Sequence, residues 1–404
     1  MRTIAYVLVL ALMFTIPWEQ SFEYSSVGTI SRIVGVAAAI VWLVSISGSG
    51  RMRRLTAFHG AALAFVIWNG LTVFWSKDPE SSVTGLFTYV QLLVMLVILW
   101  DVIDTPQRVR AMLQAYVLGA LVTTGTIIAN FLNGDTTVYE RYSSPGSEVD
   151  LAALILALGG PAAVYLATRP TLEQRSRLLR VVNYAYLPAA TFAVVLTATR
   201  GAVVASVATA IFFLWSVVRG RPAQRVGAVG AITVAAFLVV SFAPATSLDR
   251  IVTASSELRG GGNLNGRIGI WHASIDAFLQ RPLLGVGHDA HRAAVPTGNV
   301  AHNTLLSILA ETGLIGTVLF IGLLVHVIAA LRKQSGWEAR FWTAQLAVVA
   351  LGAMSLSIED SKAAWAFVAL AVAAAAPVVS TAAARTSAST GRALGWSPAV
   401  GSSR

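Results

Sequence analysis

The chain has 404 residues, of which 56% are hydrophobic and only 12% charged. A soluble domain carries about a quarter charged residues. This composition therefore excludes an ordinary water-soluble enzyme and makes the bilayer the solvent, with one multi-helix membrane domain as the expected unit. The absence of cysteine rules out disulfides and thiolate metal sites. A net charge of +10 would suggest nucleic acid in a soluble protein, but here its distribution along the chain gives another explanation.

The first twenty residues, MRTIAYVLVLALMFTIPWEQ, resemble a secretory leader. No small-x-small cleavage site follows, only Pro17-Trp18-Glu19, so the segment is expected to be a retained first helix. Apolar segments long enough to cross the hydrocarbon follow at about 3–18, 28–47, 55–75, 82–100, 109–131, 149–167, 181–199, 201–218, 226–246, 303–331, 341–357 and 363–380. The expected fold is an all-α integral membrane protein of about 12 transmembrane helices. One large external loop, about 247–302, lies between helices nine and ten. Within it, residues 267–279 fit an amphipathic surface helix with Ile268, Trp271, Ile275 and Phe278 on one face. Arg281-Pro282 ends that helix and Gly285-Val286-Gly287 makes a tight turn. Residues 1–380 form the membrane domain, and the Ala/Ser/Gly-rich 381–404 a disordered cytoplasmic tail.

The connectors alternate in charge. One set holds Arg51, Arg53, Arg54, Arg108, Arg110, Arg169, Arg175, Arg177, Arg180, Arg219, Arg221, Arg225, Arg332, Lys333 and Arg340. The other holds Glu19, Glu23, Asp78, Glu80, Asp135, Glu140, Glu359 and Asp360. The positive-inside rule puts both termini in the cytoplasm, in agreement with an even number of crossings. The basic balance is thus a topology signal, and no nucleic-acid partner is expected. Residues 132–148, the 198–201 turn and the 247–302 connector then face outward.

Three residues on that face stand out. Arg200 sits in VVLTATRGAVVAS with almost no polar loop around it. It reads either as a snorkelling arginine or as an anion ligand at a helix start, where backbone N–H groups and the helix dipole add to its field. Arg267 begins the amphipathic segment, as a lipid-phosphate contact or a substrate ligand. His302 opens helix ten, as a cap or as a base suited to neutral pH. His288-Asp289-Ala290-His291 lacks a clear third ligand, so a polar loop is expected there and no metal. Glu311 lies too far along helix ten to share a substrate atom with His302. The chain has no P-loop, GxGxxG or HExxH motif, nor an obvious pair of loop carboxylates for Mg²⁺. A phosphorylated substrate would be neutralised by arginine, whose charged fork binds phosphate oxygens in pairs.

Taken together, this pattern resembles the O-antigen ligase and polymerase superfamily of bacterial membrane glycosyltransferases. His302-Asn303, nine residues, Gly313, two residues, Gly316 fits the family's His-(Asn/Ser/Gln)-x9-Gly-x2-Gly pattern. Gly266-Arg267 with Trp271, then Pro282, Gly285 and Gly287, is similar to the segment before it. Thr199-Arg200-Gly201-Ala202 is similar to its (Ser/Thr)-Arg-Gly-Ala turn. The resemblance implies transfer of a glycan from an undecaprenyl-diphosphate carrier to an acceptor hydroxyl on a glycan, lipid or wall polymer, with no cofactor and no metal. It implies that Arg200 and Arg267 hold the diphosphate, that His302 orients or deprotonates the acceptor, and that the anomeric configuration inverts. Arg141, in Tyr139-Glu140-Arg141-Tyr142, is a further diphosphate candidate. Where the family often has a Gly-x-x-Pro-Asn-like run, this chain has Gly146-Ser147-Glu148-Val149-Asp150, which sets Arg141 apart. The implied location is the bacterial inner membrane, among its lipids, with the site external.

Three readings compete: a glycan ligase, a repeat-unit polymerase on the same carrier, and a transporter of an anionic lipid or solute. Broken central helices would favour the transporter; the sequence leads us to expect uninterrupted ones.

Overall fold

The structure is a computed structural model that describes residues 1–21, 23–24, 28–137, 140–169, 176–259 and 266–376. Nine long helices come first: α1 (Arg2–Thr15), α2 (Ile30–Ser49), α3 (Ala57–Thr72), α4 (Pro79–Val102), α5 (Pro106–Asn133), α6 (Val149–Thr168), α7 (Arg177–Leu196), α8 (Arg200–Arg219) and α9 (Pro222–Phe242). Then come α10 (Ala245–Arg259), α11 (Arg267–Gln280), the single turn α12 (His291–Ala294), α13 (Thr304–Leu331), α14 (Gly336–Ala353) and α15 (Lys362–Ala375). A 3-10 turn, Ile16–Ser21, follows α1, and Glu23–Tyr24 pairs with Gly28–Thr29 as a minimal antiparallel ladder.

Each of the twelve expected apolar segments contains a helix. Among the described residues ten helices are long and apolar enough to span a membrane, α1 counting together with the 3-10 turn that carries it on to Ser21. The other two are α14, which carries Glu338 and Arg340 in its first turns, and α15, whose 14 residues fall short of the roughly 20 that a span needs. The expected tail 381–404 lies outside the described residues.

Local chemistry sets the helix starts. Asp78 accepts the Ser81 N–H with Pro79 in the first turn, and Thr105 accepts the Arg108 N–H with Pro106 beside it. Ser361 caps Ala364 and Asn303 caps Leu305 and Leu306. α6 (VDLAALILALGGPAAVYLAT) is apolar all round and almost wholly buried, as such a helix must be. α5, α7, α8 and α14 pack around it. Its Gly159 and Gly160 admit Tyr186 and Thr209, and the Tyr186 hydroxyl donates to the Leu156 carbonyl at 2.6 Å. At one end of the bundle the buried Asp101 accepts from Arg2, Trp42 and the Arg53 N–H.

The long connector between the ninth and tenth spans carries α10, α11 and α12, and α11 matches the helix expected at 267–279. It buries Ile270, Ser274 and Ala277, while Ile275 is 40% exposed, as on a helix that turns apolar side chains outward.

One expectation needs correction: α13 is broken, where the sequence led us to expect uninterrupted helices. Gly313 has φ 65° and ψ −166°, a conformation open essentially to glycine alone. Residues 281–287 dock into the break. Val286 and Gly287 N–H groups donate to the Ala310 and Glu311 carbonyls, both at 2.9 Å. Leu314 N–H donates to the Pro282 carbonyl at 2.8 Å and Ile315 N–H to Leu283 at 3.4 Å. The backbone groups freed by the break are thereby satisfied. The two chains approach so closely that a Cβ on Gly285 would lie 2.2 Å from the Glu311 carbonyl oxygen. One on Gly313 would lie 2.4 Å from that of Leu283. The Gly-x-Gly run and the first glycine of the His-Asn-x9-Gly-x2-Gly pattern therefore form one seam. Gly313→Ala is expected to destabilise the protein by about 1–3 kcal/mol. Gly322→Ala in the same helix, where a Cβ meets nothing within 4 Å, should leave stability unchanged or slightly raised. Thermal unfolding of the purified variants in detergent distinguishes the two.

Candidate active site

At the end of the bundle opposite Asp101, five segments converge: the approach to α6, the α7–α8 turn, the start of α11, the start of α13 and the α14–α15 connection. Asp150, in the first turn of α6, bonds side chains from the first three of these. The Arg141 guanidinium hydrogen-bonds it through Nη2 and also donates to Thr199 Oγ1 (2.6 Å) and, through Nε, to the Thr197 carbonyl (2.6 Å). Thr199 Oγ1 itself donates to Asp150 Oδ1 at 3.1 Å. Arg267 reaches the other carboxylate oxygen through Nη2 at 3.4 Å, while its Nη1 donates to the Ser355 carbonyl at 2.8 Å. One carboxylate thus bridges two guanidiniums from distant parts of the chain.

Arg200 is the first residue of α8. Its Nε donates to the Arg250 carbonyl of α10 at 2.7 Å and its Nη2 to Thr253 Oγ1 at 3.2 Å. Thr199 is the N-cap of α8, but its hydroxyl serves Asp150 and makes no cap bond. The helix start therefore has no side-chain cap, and its first N–H groups and dipole face the cluster. Gly201 brings α8 against the α14–α15 connection, since a Cβ there would lie 2.2 Å from Ser355 Oγ. Burial lowers the Arg267 pKa, as do the charges of Arg141 and Arg200, against the opposing pull of Asp150. Arg267 thus lies within electrostatic reach of both other guanidiniums.

His302 has φ +49°, a left-handed conformation uncommon outside glycine. It is held from both sides. Trp271 Nε1 donates to the preceding Ala301 carbonyl at 3.1 Å, which explains the tryptophan four residues after Arg267. The following Asn303 caps α13 and donates to the Met354 carbonyl at 3.3 Å. Burial keeps the imidazole below its ordinary 6.5, and the charges of Arg267 and Arg292 add to this, with Asp150 and Glu148 pulling the other way. Such an imidazole is neutral at pH 7 and free to accept a proton.

The two histidines of the 288–291 run serve different partners. His291 bonds Ser274 Oγ and the Asn299 carbonyl at 2.8 and 2.9 Å and pins the loop to α11. His288 is buried, with its ring centroid 4.7 Å from that of Tyr89 and Nδ1 3.6 Å from Glu311 Oε2. Glu311 also accepts the Asp289 N–H at 3.0 Å, and burial, with the Glu311 charge, pushes the Asp289 carboxyl up to about 6. Among the described residues no group of three His, Asp or Glu is arranged to hold a metal.

The sequence therefore singled out Arg141, Arg200, Arg267 and His302, and all four belong to one electrostatic cluster. It missed Asp150, Thr199 as a bridging hydroxyl, and Ser355. A carboxylate in the first turn of an otherwise apolar helix was the available signal for Asp150. Removing its charge leaves Arg141 and Arg267 unpaired in a partly buried space. Asp150→Asn is expected to cost about 1–3 kcal/mol of stability, with Asp150→Glu retaining part of it, as read from thermal unfolding.

Residues 185–321 match the family model described as O-antigen ligase. No curated protein matches the chain. The matched segment contains Arg200, Arg267, His302 and the Gly285–Gly313 seam, while Arg141, Asp150 and Ser355 lie outside it.

Proposed function

We propose that this chain, whose 185–321 segment matches the O-antigen ligase family model, is a membrane glycosyltransferase of the O-antigen ligase and polymerase kind that moves a glycan from undecaprenyl diphosphate to an acceptor hydroxyl. The observation that carries the reading is the cluster of Arg200, Arg267, Arg141 and a neutral His302 at one end of an apolar bundle. A polyprenyl diphosphate keeps its tail in lipid and its head at the interface, where such a cluster would meet it. The opposite end carries Arg53, Arg54, Arg108, Arg219 and Arg225, so the positive-inside rule favours an external site in the bacterial inner membrane.

In this mechanism Arg200 and Arg267 hold the diphosphate, with Arg141 behind them and the α8 N-terminus adding its dipole. His302 takes the proton of the acceptor hydroxyl as its oxygen attacks the anomeric carbon. The bond from that carbon to the diphosphate oxygen breaks on the opposite face, and polyprenyl diphosphate leaves with the electron pair. Attack in line inverts the configuration. Charge on the leaving group is neutralised by guanidinium alone, which needs no cofactor.

Ligase and polymerase share this chemistry. Purified enzyme with lipid-linked glycan and candidate acceptors separates them: one shifted band marks a ligase, a ladder a polymerase. The break in α13 favours a transporter only if it leaves carbonyls open to a solute. Residues 282–287 bond the Ala310 and Glu311 carbonyls, and this weighs for the transferase.

His302→Ala is expected to abolish transfer while leaving expression and membrane insertion intact; near-normal transfer would remove histidine from the mechanism. Arg267→Lys should lose about tenfold or more in rate, because a point charge does not copy a bidentate fork (about 1.5–3 kcal/mol for a charge-assisted contact). Full activity in that variant would reduce Arg267 to a surface anchor. The active form carries neutral His302, so kcat/KM should fall as pH drops through a value below 6.5. Arg292→Gln removes one cation near the imidazole, so its acid limb should move to higher pH.

A further inference from the structure

Beside the arginine cluster lies a cavity of about 210 Å³ that the transfer chemistry does not use. The 3-10 turn after α1, α4, the start of α6 and residues 357–363 enclose it. Its polar walls include the hydroxyl residues Thr88, Ser147, Ser357 and Ser361 beside Gln20 and Asp360, over an apolar floor that includes Leu151 and Ile155.

Its charge differs from that of the arginine cluster. Lys362 Nζ lies 2.5 Å from Glu19 Oε2 and 3.0 Å from Ser31 Oγ, and Thr29 Oγ1 donates to Glu19 at 3.0 Å. The one lysine on the wall is therefore spent on a carboxylate, and Asp360 stands beside it. No excess of positive charge remains for a diphosphate. Two residues of the wall also carry a polar atom without a partner. Gln20 Oε1 and Ser357 Oγ are buried and have no hydrogen-bond partner among the described residues. Buried polar atoms of this kind are satisfied in folded proteins by a ligand or by ordered water. Hydroxyl-rich walls over an apolar floor match the two kinds of surface that a sugar ring presents.

The cavity also shares two walls with the site. Residues 354–356 accept hydrogen bonds from Asn303, Arg267 and Thr304 (3.3, 2.8 and 2.9 Å), and the next residue, Ser357, lines the cavity. In α6, Asp150 bonds the arginines and Leu151 lines the cavity.

We propose that this cavity is a glycan subsite that takes one uncharged sugar ring adjoining the transferred bond, from the donor chain or from the acceptor. It rests on the transferase reading and adds to it a place where the carbohydrate is recognised apart from its diphosphate.

The test uses the purified full-length protein in detergent. Thermal unfolding is followed with a panel of neutral methyl glycosides (hexosides, 6-deoxyhexosides and N-acetylhexosaminides) and, separately, with inorganic pyrophosphate. At least one glycoside should raise the melting temperature of the wild type. Ser357→Met, which fills the cavity, should abolish that rise and keep the rise with pyrophosphate; Arg200→Ala should do the reverse. Gln20→Leu supplies the same comparison if Ser357→Met does not fold. A wild type that no glycoside protects, or a Ser357→Met variant protected as well as the wild type, overturns the subsite. Loss of the pyrophosphate effect in the wild type would instead count against the arginine cluster, and so against the transferase reading. In the transfer assay, a severalfold higher KM for acceptor in Ser357→Met and Gln20→Leu assigns the ring to the acceptor, and a higher KM for donor assigns it to the donor. Unchanged values for both overturn the proposal.

Discussion

One carboxylate makes the arginine cluster possible. Three guanidiniums brought together where an apolar bundle ends repel one another, and their desolvation adds to the cost. Asp150 offsets both by bonding Arg141 through one oxygen and Arg267 through the other. The Thr199 hydroxyl ties the α7–α8 turn to the same carboxylate, so the arginine that follows it is placed by the same contact. Asp150 lies on α6, the helix most deeply packed in the bundle, and thus fixes mobile cationic side chains to the most rigid element available. An anionic substrate entering the cluster would compete with this carboxylate for the guanidiniums, which gives the site a built-in counter-charge when it is empty.

The second constraint is the backbone seam between residues 282–287 and the break in α13. It exists because neither strand of the seam carries a side chain at its closest points, Gly285 and Gly313. The seam holds the connector after α11 against α13, and α11 in turn holds Arg267 and Trp271. Trp271 bonds the Ala301 carbonyl, so the strained backbone of His302 is fixed by a chain of contacts that begins at a pair of glycines. Motif residues that look chemical and motif residues that look structural are therefore one assembly. The glycines set the connector, the connector sets the tryptophan, and the tryptophan sets the histidine.

Much of this was legible in the chain itself. Apolar runs of span length located the helices of the bundle, since a bilayer offers the backbone no partner outside a helix. Arg200, Arg267 and His302 stood out by their place at the starts of helices on one face, and Arg141 entered through the family resemblance. The amphipathic segment at 267–279 is α11, which buries Ile270, Ser274 and Ala277 and leaves Ile275 outward. The break at Gly313 was missed because a helical apolar pattern does not register one glycine whose hydrogen bonds are supplied from another segment.

The sequence by itself determined the solvent, the helical class, the alternation of basic and acidic connectors, and which few polar residues are out of place in lipid. These are properties of composition and of short-range periodicity. Only the tertiary structure decided that Arg141 and Arg267 share Asp150, that the Ser355 carbonyl completes the hold on Arg267, and that a polar cavity shares a wall with them. Those partners lie 9, 117 and 88 positions apart or come from separate helices. Chain packing, which no local pattern encodes, is what brings such groups within hydrogen-bond range.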